Sequence, residues 1–404
     1  MTQISRVEIF DFEYEVENLA AASEHTHNHV AYKKGGRMKL KKYAIVIEAD
    51  DGARGEYVAM WGGTRPALAQ SIMLAPDLLG RDPAMREELY DEFKRKLHHF
   101  DHMGHGPVDI ALWDLVGKQL NTSISNLLGG YRSRLKAYAS TFHGDRNGGL
   151  DSPEAYGEFA VRCREMGYRG YKIHGWFDGN PREEAAAILA TRKAVGNEMD
   201  LMYDGACDLK TFADALYVGR ACDEANYFWF EDPYRDAGLS AFSHKKLREM
   251  LKTPLLITEH IRGLEPKADF IIAGGTDFLR VDPEYDMGIT GAIKTARLAE
   301  AFGLDVEVHA VGPAHRHVMG AIRNSNYYEV ALVGPDCANN IPQCVRLQRS
   351  DRLYRPRRHG AGADRPGSRR HVRLGLHQAP YEAASRVRAE QALSVTLHKS
   401  KRAT

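Results

Sequence analysis

Two stretches near the start alternate apolar and polar residues with a period of two, at 7–14 and 41–49, the pattern of strands with one buried face. The second runs into Asp50-Asp51-Gly52, a hairpin-turn signal. Between them lie a lysine-rich stretch, 33–42, and three histidines, His25, His27 and His29, which together read as one long loop. Helical spacing follows over 66–99 and over 106–120. Strands followed by helices predict an α+β domain over residues 1–130.

From residue 135 the rhythm changes. Short apolar runs at 136–141, 170–174, 201–204, 227–231, 255–259, 278–281, 306–309 and 329–333 alternate with amphipathic stretches such as 153–166, 181–195 and 209–224. Strands buried on both faces read as continuous apolar runs. Eight of them with helical crossovers predict an α/β fold, a (β/α)8-type barrel over 131–342. The N-terminal domain would then cap it.

Composition adds bounds. A chain of 404 residues suits a barrel plus a second domain, and 43% hydrophobic with 27% charged residues is ordinary for a globular protein. No apolar run is long enough to span a membrane, and the N-terminus lacks an apolar signal core. Cys163, Cys207, Cys222, Cys337 and Cys344 are odd in number and far apart, which predicts free thiols and a cytoplasmic location. The Gly-Gly pairs punctuate turns, and none opens a dinucleotide-binding fingerprint.

The chemistry lies at the C-terminal ends of the predicted strands, where a barrel keeps its active site. Those ends carry Lys172 and His174, then Asp204, Glu231-Asp232-Pro233, Glu259-His260, Asp282, His309 and Glu329. Asp204, Glu231 and Glu259 come from three successive strands and converge on one rim. Their repulsion calls for a divalent cation, and an all-oxygen donor set favours Mg²⁺ over zinc. Taken singly, each could instead be a solvated cap or the partner of a lysine, and His309 a core histidine bonded to backbone. Lys172 and His174, two apart on a strand, point to the same face.

The 108–120 helix followed by Leu127-Leu128-Gly129-Gly130, the Lys-x-His strand, the Glu-Asp-Pro strand and the Thr-Glu-His strand resemble the mandelate racemase branch of the enolase superfamily. The likeness covers residues 1 to about 342. It implies a capping domain over the barrel mouth and Mg²⁺ held by Asp204, Glu231 and Glu259. It also implies a base dyad of Asp282 and His309, and a carboxylic acid, Glu329, that bonds the enolate oxygen.

The reaction expected of such a site is removal of the proton next to a carboxylate, with His309 as general base and Asp282 fixing its tautomer. The first expectation is elimination of water from an acid sugar. The runner-up is a racemase or epimerase of an α-hydroxy acid. The partner is then a small-molecule carboxylate, without nucleic acid or membrane, and the assembly a homo-oligomer. Two departures stand out: His174 where relatives usually carry lysine, and Asp204-Gly205-Ala206 where they usually carry Asn two residues after the ligand. His25, Lys33, Lys34 and Trp61 are the candidate substrate lid; the His25–His27–His29 spacing also admits a zinc site, a weaker reading.

The tail breaks the pattern. Residues 345–404 hold 13 Arg and 2 Lys against 4 acids, a charge of +11 inside a chain whose net charge is +1. Relatives close with a segment like P-G-L-G-V-x-Y-D-W. The codons allowed for Pro366 through Gln378, read one nucleotide over, permit P-G-L-G-V-T-Y-D-W-A-F-I-K. A one-nucleotide frameshift close to Gln343 is the sharper reading of residues 343–404, and a disordered arm the plain one. The third functional expectation is therefore a barrel impaired by its altered C-terminus.

Overall fold

The computed structural model describes residues 2–21, 30–60, 63–143, 146–176, 178–235, 238–335, 371–373 and 393–398. The N-terminal domain is built on an antiparallel sheet of β1 (Ile4–Ala21), β2 (Val30–Ala49) and β3 (Arg54–Val58). The first two strands are far longer than the expected 7–14 and 41–49, and 33–42 belongs to β2, not to a loop. Its lysines and arginine face acids across the sheet: Glu13 pairs with Lys41 and Glu17 with Arg37, each at 3.0 Å. Tyr14, Val16 and Tyr32 alternate with them as buried residues. Opposite charges directly across a ladder stabilise it, so period two continues beneath a charged surface.

Helical patterning over 66–99 resolves into Arg65–Leu78 and Arg86–Lys96. Gly80, in the left-handed region at φ +81°, and Pro83 separate them. The next helix, His105–Gln119, is buried on nearly every face between sheet and barrel. Its closeness to β3 demands glycine at 55, because a Cβ there would lie 2.1 Å from the Ala111 carbonyl oxygen.

The barrel strands are β4 (Arg134–Thr141), β5 (Gly170–His174), β6 (Asp200–Asp204), β7 (Trp229–Glu231), β8 (Leu255–Ile257), β9 (Phe278–Val281), β10 (Asp305–Val308) and β11 (Tyr328–Val333). They form a curled parallel sheet in the order β11-β4-β5-β6-β7-β8-β9-β10. Tyr138, Met202, Trp229, Leu256 and Tyr327 cluster inside it, so the centre is packed and the mouth alone is open to chemistry.

Between β10 and β11 a side chain takes the place of a regular ladder. The carboxylate of buried Glu307 accepts from the Asn326 amide (3.1 Å), Asn326 Nδ2 (2.7 Å) and the Tyr327 amide (3.2 Å). Burial pushes its carboxyl up to about 7 against the pull of those donors.

The tail is not wholly the unstructured arm expected. β12 (His371–Arg373) pairs antiparallel with the start of β4, and β13 (Leu393–His398) pairs with Arg6–Asp11 of β1. In β13, Leu393, Val395 and Leu397 alternate with Ser394 and Thr396. That is a strand pattern, and the arginine-rich composition around it masked it.

Candidate active site

The expected site residues of the barrel lie at or near the C-terminal ends of their strands, with Glu329, expected at such an end, the exception. Lys172 and His174 end β5, Asp204 ends β6 and Glu231 ends β7; Glu259 follows β8, Asp282 follows β9, His309 follows β10, and Glu329 stands early in β11. The chain turns sharply at several of these points. Thr258, just before Glu259, has φ +89°, and Ala310, just after His309, has φ +59°. Such conformations are costly for residues with a Cβ and collect at functional sites.

Lys172 is fully buried, its Nζ 2.9 Å from Glu231, 3.1 Å from Asp204 and 3.1 Å from Glu329. Burial alone would strip its proton. Glu231 and Glu329 outweigh burial and hold it charged, well above lysine's ordinary range. His174 places Nδ1 2.7 Å from the Thr141 carbonyl oxygen and Nε2 3.0 Å from Asp204 Oδ2. Both of these neighbours are acceptors, and Ser140 Oγ lies 3.3 Å from Nδ1 as well.

His309 stands on another side of the rim. Its Nδ1 is 2.6 Å from Asp282 Oδ2 and its Nε2 3.4 Å from Glu259 Oε1. Burial lowers this imidazole, but Glu259 and the bond to Asp282 prevail and raise it to about 9. The other oxygen of Asp282, Oδ1, accepts from the Glu284 amide at 2.7 Å, and His315 Nε2 lies 3.3 Å from it. Burial opposes ionisation of Asp282, yet the two histidines hold it well below the carboxylate range.

Sequence reasoning passed over Arg280, which lies fully buried beneath these groups. Its Nε is 2.7 Å from Glu231 and 3.8 Å from Glu259, and its Nη2 is 2.7 Å from Glu329. Glu329 also accepts from the Ala310 amide at 2.7 Å. Although burial raises it, Lys172 and Arg280 keep it far below the usual range. The resemblance implied a carboxylic acid at this position; Glu329 here lies between Lys172 and Arg280. The signal for Arg280 was its spacing, two residues before Asp282 and so on the same strand face. His143, also missed, lies against His174 with ring centroids 3.8 Å apart.

The capping domain reaches the dyad through Glu284. Its Oε1 accepts from Tyr57 Oη at 2.6 Å and from the Met60 amide at 2.7 Å. A second join ties Trp113 Nε1 to Thr290 Oγ1 (2.9 Å), which donates to Asp109 at 2.6 Å.

Residues 155–365 match the family described as "Enolase C-terminal domain-like", and residues 24–129 match "Mandelate racemase / muconate lactonizing enzyme, N-terminal domain". The chain belongs to the mandelate racemase / muconate lactonizing enzyme family of the enolase superfamily. The chain is 28% identical to the L-talarate/galactarate dehydratase of Salmonella typhimurium, over 71% of this chain and 73% of that protein. It is 31% identical to the D-galactarolactone cycloisomerase of Agrobacterium fabrum, over 66% and 70%. It is 27% identical to the N-succinyl-L-Arg/Lys racemase of Bacillus cereus, over 64% and 66%. Among solved structures, the D-glucarate dehydratase of Agrobacterium tumefaciens complexed with magnesium superposes with a TM-score of 0.73 at 29% identity. That match covers 83% of this chain and 88% of that one.

The family's Mg²⁺ has a donor set here that fits it. Asp204, Glu231, Glu259 and Glu329 crowd around Lys172 and Arg280. Burial, with Asp204 and Glu259 nearby, pushes Glu231 up to about 8, a cost that a cation would relieve, and Asp204, Glu231 and Glu259 offer hard oxygen donors. Like charge spreads them, with Lys172 and Arg280 between. Among the described residues, the trio of His, Cys, Asp or Glu donors that comes within 4.8 Å of one another is a different one, Cys207, Asp232 and His260.

Of the candidate lid, Lys33 and Lys34 are exposed on β2. His25, Trp61 and the further histidines His27 and His29 lie outside the described residues, as do Cys337 and Cys344. Cys163, Cys207 and Cys222 form no disulfide. No described helix is long and apolar enough to cross a membrane.

Proposed function

We propose that this enolase-superfamily chain is an acid-sugar dehydratase, removing the proton α to a carboxylate and expelling the β-hydroxyl as water. The observation that carries this reading is the character of the groups facing His309. Lys172 is kept protonated by its carboxylate neighbours, Glu329 among them, and His174 is bound on both nitrogens to acceptors. A two-base racemase needs a second group able to accept a proton. With Glu259 engaged by the cation, His309 Nε2 would be free to act as the base, while Lys172 would keep Glu329 beside it.

Bound Mg²⁺, held by Asp204, Glu231 and Glu259, would supply electrostatic stabilisation of negative charge developing on the substrate carboxylate. The protein's own groups do the rest. Asp282 accepts a hydrogen bond from Nδ1–H of His309 and leaves Nε2 facing the cavity. From there it removes the α-proton, and the C–H electron pair passes into the carboxylate as an enediolate. Lys172, positive and desolvated, stands ready to stabilise that charge. Protonation of the β-hydroxyl, by His309 in a syn elimination or by His174, lets water leave. The enol product then tautomerises to a 2-keto-3-deoxy acid.

The substrate class is supported by two of the relatives named above, the L-talarate/galactarate and D-glucarate dehydratases, and by the polar rim. The test is incubation of an acid-sugar library with the protein and Mg²⁺, scored for 2-keto acid, with deuterium exchange at the α-carbon followed in parallel. Keto product from one or more acids is expected. Exchange or epimerisation without keto product would replace this reading with the racemase.

A further inference from the structure

One residue beyond Glu231 and one beyond Glu259, a second donor set gathers. Cys207, Asp232 and His260 bring a sulfur, a carboxylate oxygen and an imidazole nitrogen within 4.8 Å of one another. His260 Nε2 stands 3.1 Å from Asp232 Oδ2. The backbone builds the arrangement. Ala206 and Cys207, at φ +47° and +60°, turn the chain after β6, and Asp232, at φ +38°, turns it after β7. The Cys207 amide donates to the Asp232 carbonyl at 2.8 Å, and the Gly205 amide to the Glu231 carbonyl at 2.9 Å. Two successive strand ends are thereby stitched together with the thiol beside the carboxylate.

A pair or a lone thiol would carry little. Here a third observation bears on the cluster: Asp232 is only 2% exposed, yet its Oδ1 has no hydrogen-bond partner among the described residues. A buried acceptor left unsatisfied costs free energy unless something else meets it. Cys207 and His260 are only partly buried, so solvent and ions reach the cluster.

We infer that Cys207, Asp232 and His260 form a second cation site of the zinc class, separate from the all-carboxylate site beside it. The donors decide the class. Thiolate and imidazole are borderline-soft ligands that Mg²⁺ does not favour and that Zn²⁺ does. Three protein ligands leave a fourth tetrahedral position to water. Zinc–ligand lengths of about 2.0–2.3 Å place tetrahedral donors about 3.3–3.6 Å apart, within the span these atoms already have. Loading would break the His260–Asp232 contact and bind the thiol as thiolate, releasing its proton to solvent.

Cobalt reports such a site without any assay of turnover. The full-length protein, held in saturating Mg²⁺, is titrated with Co²⁺. The expected result is a near-ultraviolet thiolate-to-cobalt charge-transfer band, with the strong visible bands of four-coordinate cobalt, saturating at one equivalent and abolished by Zn²⁺. Cys207→Ser should lose the charge-transfer band with its circular dichroism unchanged, and His260→Gln should weaken cobalt binding by about tenfold or more. No band in the parent overturns the inference. So does a band that survives Cys207→Ser, which would assign it to another thiol. A band that excess Mg²⁺ erases would also overturn it, because cobalt would then be in the carboxylate site.

Discussion

The ring of His309 and the carboxylate of Asp282 meet at 2.6 Å, and Asp282 is gripped from behind by the Glu284 amide at 2.7 Å. Tautomer and ring orientation are both set by that contact, because the nitrogen facing Asp282 must carry hydrogen and the other then faces the cavity.

Asp282→Asn should therefore lower turnover by about 10²–10⁴-fold, the range spanned by general-base catalysis. The variant keeps the shape but offers His309 a group that can donate as well as accept. His309→Asn should abolish α-deuterium exchange outright. Unchanged exchange in His309→Asn, with native circular dichroism, would assign the base elsewhere.

The capping domain is expected to act on the dyad through Glu284. Tyr57→Phe deletes a buried hydrogen bond to that carboxylate, of a kind worth about 1.5–3 kcal/mol. Denaturant titration should show a loss of that order. Turnover should fall as well, because Glu284 also positions Asp282. A stability loss without any change in kcat/KM would mean that the clamp is structural only.

Glu307 predicts a definite dependence of stability on pH. A glutamate in the unfolded chain titrates near 4.5, and this one, buried, near 7. Between those values the folded chain holds a proton that the unfolded chain has lost. The contribution is thus complete below about pH 4.5 and is lost as pH rises through about 7. At about 1.4 kcal/mol per unit, the swing is roughly 3 kcal/mol. Glu307→Gln cannot ionise, so its stability relative to the parent should improve by up to that amount between pH 4.5 and 7.5. A difference that stays flat across the window would show that Glu307 does not titrate there.

Resequencing the gene around the codon for Gln343 tests the tail. The expected finding is that the nucleotides, read one base over, run through a P-G-L-G-V-like ending without a stop. Restoring that frame would supply a tryptophan, a phenylalanine and an isoleucine, together worth on the order of 5–8 kcal/mol of burial as an upper figure. A higher thermal midpoint should follow. A stop codon in that frame within the first few codons would sink the idea.

The barrel was legible because burial on both faces leaves little room for ambiguity. The strands expected at 170–174 and 278–281 appear with those bounds, the first ending in His174 and the second followed at once by Asp282. The candidate site residues at strand ends were legible for the same reason. The hairpin was not: between Glu13 and Lys41 charged side chains occupy the outer face, and a composition that looks like loop conceals period two. Arg280 was missed because its one signal, a position two residues before Asp282 on the same strand face, does not say that a guanidinium will be buried beneath three carboxylates. Cys207, Asp232 and His260 meet only through positive-φ turns after two strands, which no spacing rule reaches.

Lys172 and Arg280 give the acidic rim counter-charges that are covalently part of the chain. A cluster of carboxylates balanced only by a dissociable ion would tie folding to metal capture, as in small zinc domains that collapse when chelated. With an ammonium and a guanidinium already in place, maturation would split into two independent events: the polypeptide could reach its shape without an ion, and loading would be an ordinary reversible equilibrium. An incoming cation would compete with the hold of Lys172 on Asp204 and Glu231, so occupancy in a cell would track the free metal supply rather than the history of synthesis.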